Sequence, residues 1–157
     1  MEELVLRRMT AAEFSAYRAW VIPQRAEAKV SVGDWAADEA LELASKEVDE
    51  LLPTGVDTPG MLLLTAHTPD GETLGMLWVG LDRPDQRDSA WIYYIKIEPQ
   101  HRGKGYGRAL LRRAEGLAAR RGARAVGLNT FGSNTVARSL YESSGYEAVL
   151  IAMRKGL

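Results

Sequence analysis

The chain has 157 residues, a formal net charge of −1, 46% hydrophobic and 26% charged residues, and no cysteine. That length suits one domain, and the missing cysteine excludes a disulfide framework, a cysteine–zinc site and a thiol nucleophile. Two isolated histidines, His67 and His101, lack metal-ligand spacing, no apolar run approaches the ~20 residues of a membrane span, and the acidic start has no signal-peptide core, so a cytoplasmic protein without metal or membrane partner is expected.

In chain order, residues 4–7 read as a short strand. Thr10 is an N-cap for a helix over 11–29, weakened at Pro23. A second helix is expected over 34–52, where Trp35, Leu41, Leu43, Val48 and Leu51 sit among acids, followed by a proline- and glycine-rich loop to Gly60. Apolar runs at 61–67 and 72–81, joined by Pro69-Asp70-Gly71, predict strand, turn and strand. The aromatic and β-branched stretch 89–97 predicts a third consecutive strand, terminated at Pro99. A helix over 105–121 carries the stripe Leu110, Leu111, Ala114, Leu117, Ala118 and closes at Gly122. A short strand at 125–130, a helix at 134–144 closed by Gly145, and a final strand at 146–153 complete the chain. Antiparallel strands followed by strand–helix alternation predict a mixed sheet with helices on its faces, an α+β (α/β layered) single domain over 1–157.

Charge is unevenly distributed. Residues 30–57 hold eight acids (Asp34, Asp38, Glu39, Glu42, Glu47, Asp49, Glu50, Asp57) against Lys46. Residues 101–125 hold eight bases (Arg102, Lys104, Arg108, Arg112, Arg113, Arg120, Arg121, Arg124) against Glu115. Two solvated helix faces would account for this, as would a polyanion site beside a cation site.

The most informative segment is Glu98-Pro-Gln-His-Arg-Gly-Lys-Gly-Tyr-Gly-Arg108, where a strand ends, Gly103, Gly105 and Gly107 alternate, and a helix begins. Glycines let backbone turn tightly and approach a ligand, and a helix start offers unpaired N–H groups to phosphate. Arg102, Lys104 and Arg108 add positive charge. Neither the Walker A pattern nor the Gly-x-Gly-x-x-Gly dinucleotide fingerprint is present.

Arg102-Gly103-Lys104-Gly105-Tyr106-Gly107 resembles the acyl-CoA signature of the GNAT acetyltransferases: glutamine or arginine, any two residues, glycine, any residue, then glycine or alanine. Gln100 to Gly105 fits the same string in another register. About 30 residues on, Asn134, Ala137, Leu140-Tyr141 and Gly145-Tyr146 resemble a second motif of that family. Asn134, Ala137 and Tyr141 would share one helix face. Asn134 also suits a plain N-cap, and Tyr141 a core aromatic that keeps its hydroxyl wet.

The resemblance spans 91–153 and implies a mostly antiparallel sheet of about six strands flanked by about four helices. It implies acetyl-CoA as cosubstrate, its pyrophosphate on the backbone of residues 103–108 and its pantetheine arm paired with Ile95 and Ile97. In this family the N-terminal half builds the acceptor pocket. The implied reaction is acetyl transfer to an amine, with an oxyanion hole near Ile97, Tyr141 protonating the thiolate, and Glu98, or Tyr94 on the same strand face, as candidate base. Asn129 stands where members acting on protein N-termini often carry glutamate. The acidic stretch suggests a small cationic amine acceptor instead. The alternative is a regulatory module that binds acyl-CoA without turnover. Near-neutral total charge opposes a nucleic-acid partner, and a homodimer is left open.

Overall fold

A computed structural model describes residues 3–82 and 88–157. Five strands form one sheet in chain order: β1 (Val5–Arg8), β2 (Met61–His67), β3 (Thr73–Gly80), β4 (Ser89–Ile97) and β5 (Ala125–Leu128). The first four pair antiparallel and β5 lies parallel to β4, as a crossover through a helix requires.

Helices α1 (Ala11–Ser31) and α2 (Ala40–Leu51) cover one face. Their buried Tyr17, Val21, Ile22, Ala26, Ala40, Ala44 and Val48 pack with Leu63, Met76 and Trp78 of the sheet. Thr10 caps α1 through a complete capping box, its hydroxyl accepting from the Glu13 N–H while Glu13 accepts from the Thr10 N–H, which satisfies two orphan donors at once. The helix runs unbroken through Pro23 to Ser31. Burial of Val21, Ile22 and Ala26 around the proline holds the turn whose hydrogen bond it removes.

Helix α3 (Tyr106–Arg120) covers the other face. Leu110, Leu111, Ala114 and Ala118 bury against Leu64, Leu74, Leu77, Val79 and Ile92, matching the stripe read from the sequence. Helix α4 (Thr135–Ser143) follows β5.

Two expectations are corrected. The second helix begins at Ala40 rather than 34, because the chain bends at 34–35 and turns at 37–39 before the helix starts. Among the described residues the sheet has five strands, and the expected sixth at 146–153 is absent, since these residues make no ladder with the sheet. No helix of the described residues is long and apolar enough to cross a membrane.

Candidate active site

The site begins with an irregularity in β4. Trp78 of β3 faces Tyr94 and Val79 faces Ile92, so Tyr93 is an extra residue, a β-bulge. Bulges re-aim side chains and often border active sites. Tyr93 and Tyr94 both join the α1 side of the sheet, whereas Ile95 and Ile97 join the α3 side.

The bulge coincides with a parting of strands. β5 pairs with β4 only from Ser89–Ala125 to Ile92–Leu128. Among the described residues, 93–97 therefore have β3 on one side and no strand on the other. The Glu98 N–H donates to the Leu74 carbonyl at 2.8 Å, which sets the phase of the ladder. Facing pairs alternate between bonded and unbonded, so Lys96 bonds across to β3 while Ile95 and Ile97 turn their N–H and C=O groups into the opening. The Ile97 carbonyl accepts there from Arg102 Nε at 2.9 Å.

The glycine turn closes one end of this gap. Gly103 (φ 73°) and Gly105 (φ 88°) are left-handed, and Gly105 is the N-cap of α3. Among the described residues no backbone acceptor meets the N–H groups of Gly103, Lys104, Gly105, Gly107 or Arg108. They form the open end of a 15-residue helix with its positive dipole. A Cβ on Gly107 would stand 3.3 Å from Leu140 of α4 and 3.9 Å from Ile97, so this glycine lets the turn seat closely between β4 and α4.

Among the expected cationic side chains, Arg102 reaches Ile97 and Lys104 is exposed. The Arg108 guanidinium lies elsewhere: it donates to Ser144 Oγ at 3.0 Å and Ser143 Oγ at 2.8 Å, fastening α3 to the C-terminal end of α4. A cation there complements that helix end, so Arg108 brings only its backbone N–H to the turn.

Helix α4 lies against the glycine turn. The Asn134 Oδ1 accepts from the Ala137 N–H at 3.2 Å, so the asparagine is the N-cap and its side-chain carbonyl is engaged. Tyr141 is half-buried, packed on the α3-side core and 5.9 Å from the Tyr146 ring. Burial pushes its hydroxyl above the ordinary tyrosine value, with a further contribution from Tyr94. Burial raises Tyr94 too.

On the α1 side, Trp20 meets Tyr94 edge-on at 5.5 Å and Tyr17 meets Tyr94 at 6.3 Å. The Tyr17 hydroxyl is buried without a hydrogen-bond partner among the described residues. Lys96 Nζ stands 4.2 Å over the Trp20 ring and 3.0 Å from a Glu98 carboxylate oxygen. Glu98 thus lies on the α1 side of the strand end, held by an ammonium. The aromatic wall of Tyr17 and Trp20 escapes sequence reading, although their spacing of three on one helix face was a usable signal.

The acidic stretch looks different in three dimensions. Asp49 pairs with Arg18, Glu47 with Arg25, Asp34 with Lys29, Asp57 with Arg8 and Glu50 with Lys46. Much of the excess therefore answers bases on β1 and α1. Two surface hollows of about 390 and 380 Å³ lie against α4 and between α1 and α2. Neither meets the gap. No group of three or more His, Asp or Glu among the described residues could hold a metal ion.

The parallel strands β4 and β5 thus part beside a helix N-terminus that sits on a glycine turn. The sequence pattern of the acetyltransferase (GNAT) family matches residues 30–146, and the chain belongs to that family. It is 30% identical over 154 residues to the uncharacterised N-acetyltransferase YycN of Bacillus subtilis, covering 98% of this chain and 99% of YycN. The crystal structure of YycN superposes with a TM-score of 0.92 over 99% of both chains. A mycothiol acetyltransferase of Beutenbergia cavernae is 35% identical over 99 residues, which are 63% of this chain and 32% of that protein. Acetyltransferases of this family use acetyl-CoA.

Proposed function

We propose that this protein transfers an acetyl group from acetyl-CoA to the primary amine of a small cationic acceptor. The observation that carries this reading is the open edge of β4, where Ile95 and Ile97 present N–H and C=O groups beside the glycine turn. A pantetheine arm has amides spaced to pair with such an edge as an added strand does. The pyrophosphate then falls on the N–H groups of residues 103–108, with Arg102 and Lys104 nearby and Asn134 at the head of α4. To bond the Ile97 carbonyl, the arm displaces Arg102 Nε, which frees that guanidinium for phosphate.

The chemistry follows from what lines the gap. The amine must attack as a free base, and an alkyl ammonium near pKa 10.4 has to lose a proton first. Glu98 takes that proton, directly or through water, from the α1 side, with Tyr94 beside it. A backbone N–H near Ile97 that the arm leaves free stabilises the oxyanion as the nitrogen adds to the carbonyl carbon. When the carbon–sulfur bond breaks, Tyr141 gives its proton to the thiolate. The products are the acetylated amine and coenzyme A.

The rings of Tyr17, Trp20 and Tyr94 make the acceptor wall, and aromatic faces attract ammonium groups. The acids Asp38, Glu39 and Glu42, which have no ion-pair partner among the described residues, add a weak negative field.

Thiol release with acetyl-CoA across an amine panel tests the proposal. Amines with a second positive charge are expected to turn over a few-fold faster than neutral-tailed ones at low salt. The advantage should shrink near 0.15 M salt, where screening falls to about 8 Å. Equal turnover at low salt would remove the cationic preference. Acetyl-CoA binding with no thiol release from any amine would indicate a regulatory module.

A further inference from the structure

The wall proposed for the acceptor already holds a cation, and that cation belongs to the chain. Lys96 leaves β4 on the same face as Tyr94. Its Nζ stands 4.2 Å over the Trp20 ring and 3.0 Å from Oε1 of Glu98. The Lys96 and Glu98 side chains are only 21% and 29% exposed, so the ammonium sits partly stripped of water between a π face and a carboxylate. The ring beneath it is braced. Trp20 meets Tyr94 edge-on at 5.5 Å and Tyr17 at 6.3 Å, and Tyr17 is itself buried, edge-on to Trp78 at 6.4 Å. A fixed tryptophan face beside one carboxylate makes a seat for an ammonium, because the ring quadrupole attracts the charge and the carboxylate balances it.

We infer that Lys96 is a specificity-determining residue, a built-in occupant of this seat that an acceptor with two ammonium groups must displace. The inference rests on the acetyl transfer proposed above and adds the place where the acceptor's second charge is read. The Trp20 ring centre and the Glu98 oxygen both lie within 4.2 Å of one nitrogen, so a single short diamine reaches both. With one nitrogen at Glu98, where it loses its proton, and the other over Trp20, such an acceptor takes both contacts from Lys96. The lysine can leave because its ammonium ends a flexible four-carbon stem and is strongly hydrated outside. An amine with a neutral tail has no charge to place on Trp20 and leaves the lysine over the ring. Exchanging one ammonium for another is nearly even, so Lys96 limits how tightly a dication binds.

Lys96→Met removes the charge and keeps most of the stem. The comparison uses 1,4-diaminobutane and butylamine at 0.15 M salt, where the diffuse field of the surface acids is screened beyond about 8 Å. In the variant, the kcat/KM ratio of diamine to monoamine is expected to rise at least about fivefold, through the KM of the diamine, with acetyl-CoA affinity unchanged. A change in Glu98 as base would act on both amines and cancel in the ratio. Adding Trp20→Leu should abolish the gain, and Trp20→Phe, which keeps a weaker aromatic face, should retain part of it; thermal melts establish that each variant is folded. An unchanged or lower ratio in Lys96→Met would overturn the inference. So would a gain that survives the loss of the Trp20 ring, since that assigns it to the missing charge alone. If no amine is turned over, the proposed transfer fails, and calorimetry reads the seat separately. The coenzyme A complex of Lys96→Met should then bind 1,4-diaminobutane at least about fivefold more tightly than the wild-type complex, and equal affinities would overturn the seat.

Discussion

Tyr141→Phe is expected to lower kcat by about 10²-fold, the lower end of what general acid catalysis contributes, and to leave acetyl-CoA affinity nearly unchanged. The ring keeps its place against Tyr146 and the α3-side core; only the hydroxyl is lost. Burial and the neighbouring Tyr94 hold that hydroxyl above the ordinary tyrosine value of 10.0. The proton is therefore present throughout pH 6–9, and wild-type acid function does not titrate in that window. The thiol does, with a pKa near 8.5 like cysteine. Above that pH a thiolate leaves unaided, so the variant should recover part of its relative rate as pH rises. A purely structural tyrosine predicts the reverse pattern: a lower melting temperature with kcat unchanged at every pH. Rates from pH 6 to 9 and thermal melts of both proteins separate the two roles.

Gly105→Val should reduce coenzyme A affinity by more than tenfold while the protein stays folded. Gly105 is the left-handed N-cap of α3 at φ 88°, and a Cβ built there meets no protein atom within 4 Å. The space is open, so a side chain would extend toward the place proposed for the pyrophosphate. Valine also strains the turn by roughly 1–3 kcal/mol, since a β-branched residue disfavours positive φ. Gly105→Asn separates the effects, because asparagine tolerates the left-handed region but still projects a side chain. Calorimetry should find both variants weakened toward coenzyme A, with only valine markedly lowering the melting temperature. Wild-type affinity in Gly105→Asn would move the phosphate site away from this turn.

What was legible in the sequence was local. Capping, periodicity and glycine placement act over a few residues, so Thr10, the α3 stripe and the turn from Gly103 to Gly107 could be read directly. The GNAT motifs carried the family and the pairing of the gap with α4. What escaped depends on partners distant in sequence. The bulge at Tyr93 exists only relative to the register of β3. The acids of 34–57 looked like a free patch because Arg8, Arg18, Arg25 and Lys29 lie outside that window. Arg108 turned from the loop to α4 because Ser143 and Ser144 come within reach only after folding. Residues 146–153 have a strand's composition, yet a strand forms only where an edge receives it. The lysine beside Glu98 was visible at spacing two on one strand face, and its contact with Trp20 was not.

Hydrogen exchange with and without acetyl-CoA tests the central claim most directly, because it reads the backbone groups on which the site is built. Bound acetyl-CoA should slow exchange in two adjoining segments, Ile95–Ile97 of β4 and the N–H groups of 103–108, and leave the hollow at Arg138 and Glu142 unchanged. Protection confined to α4's outer face, or none at the β4 edge while acetyl-CoA binds, would contradict the account.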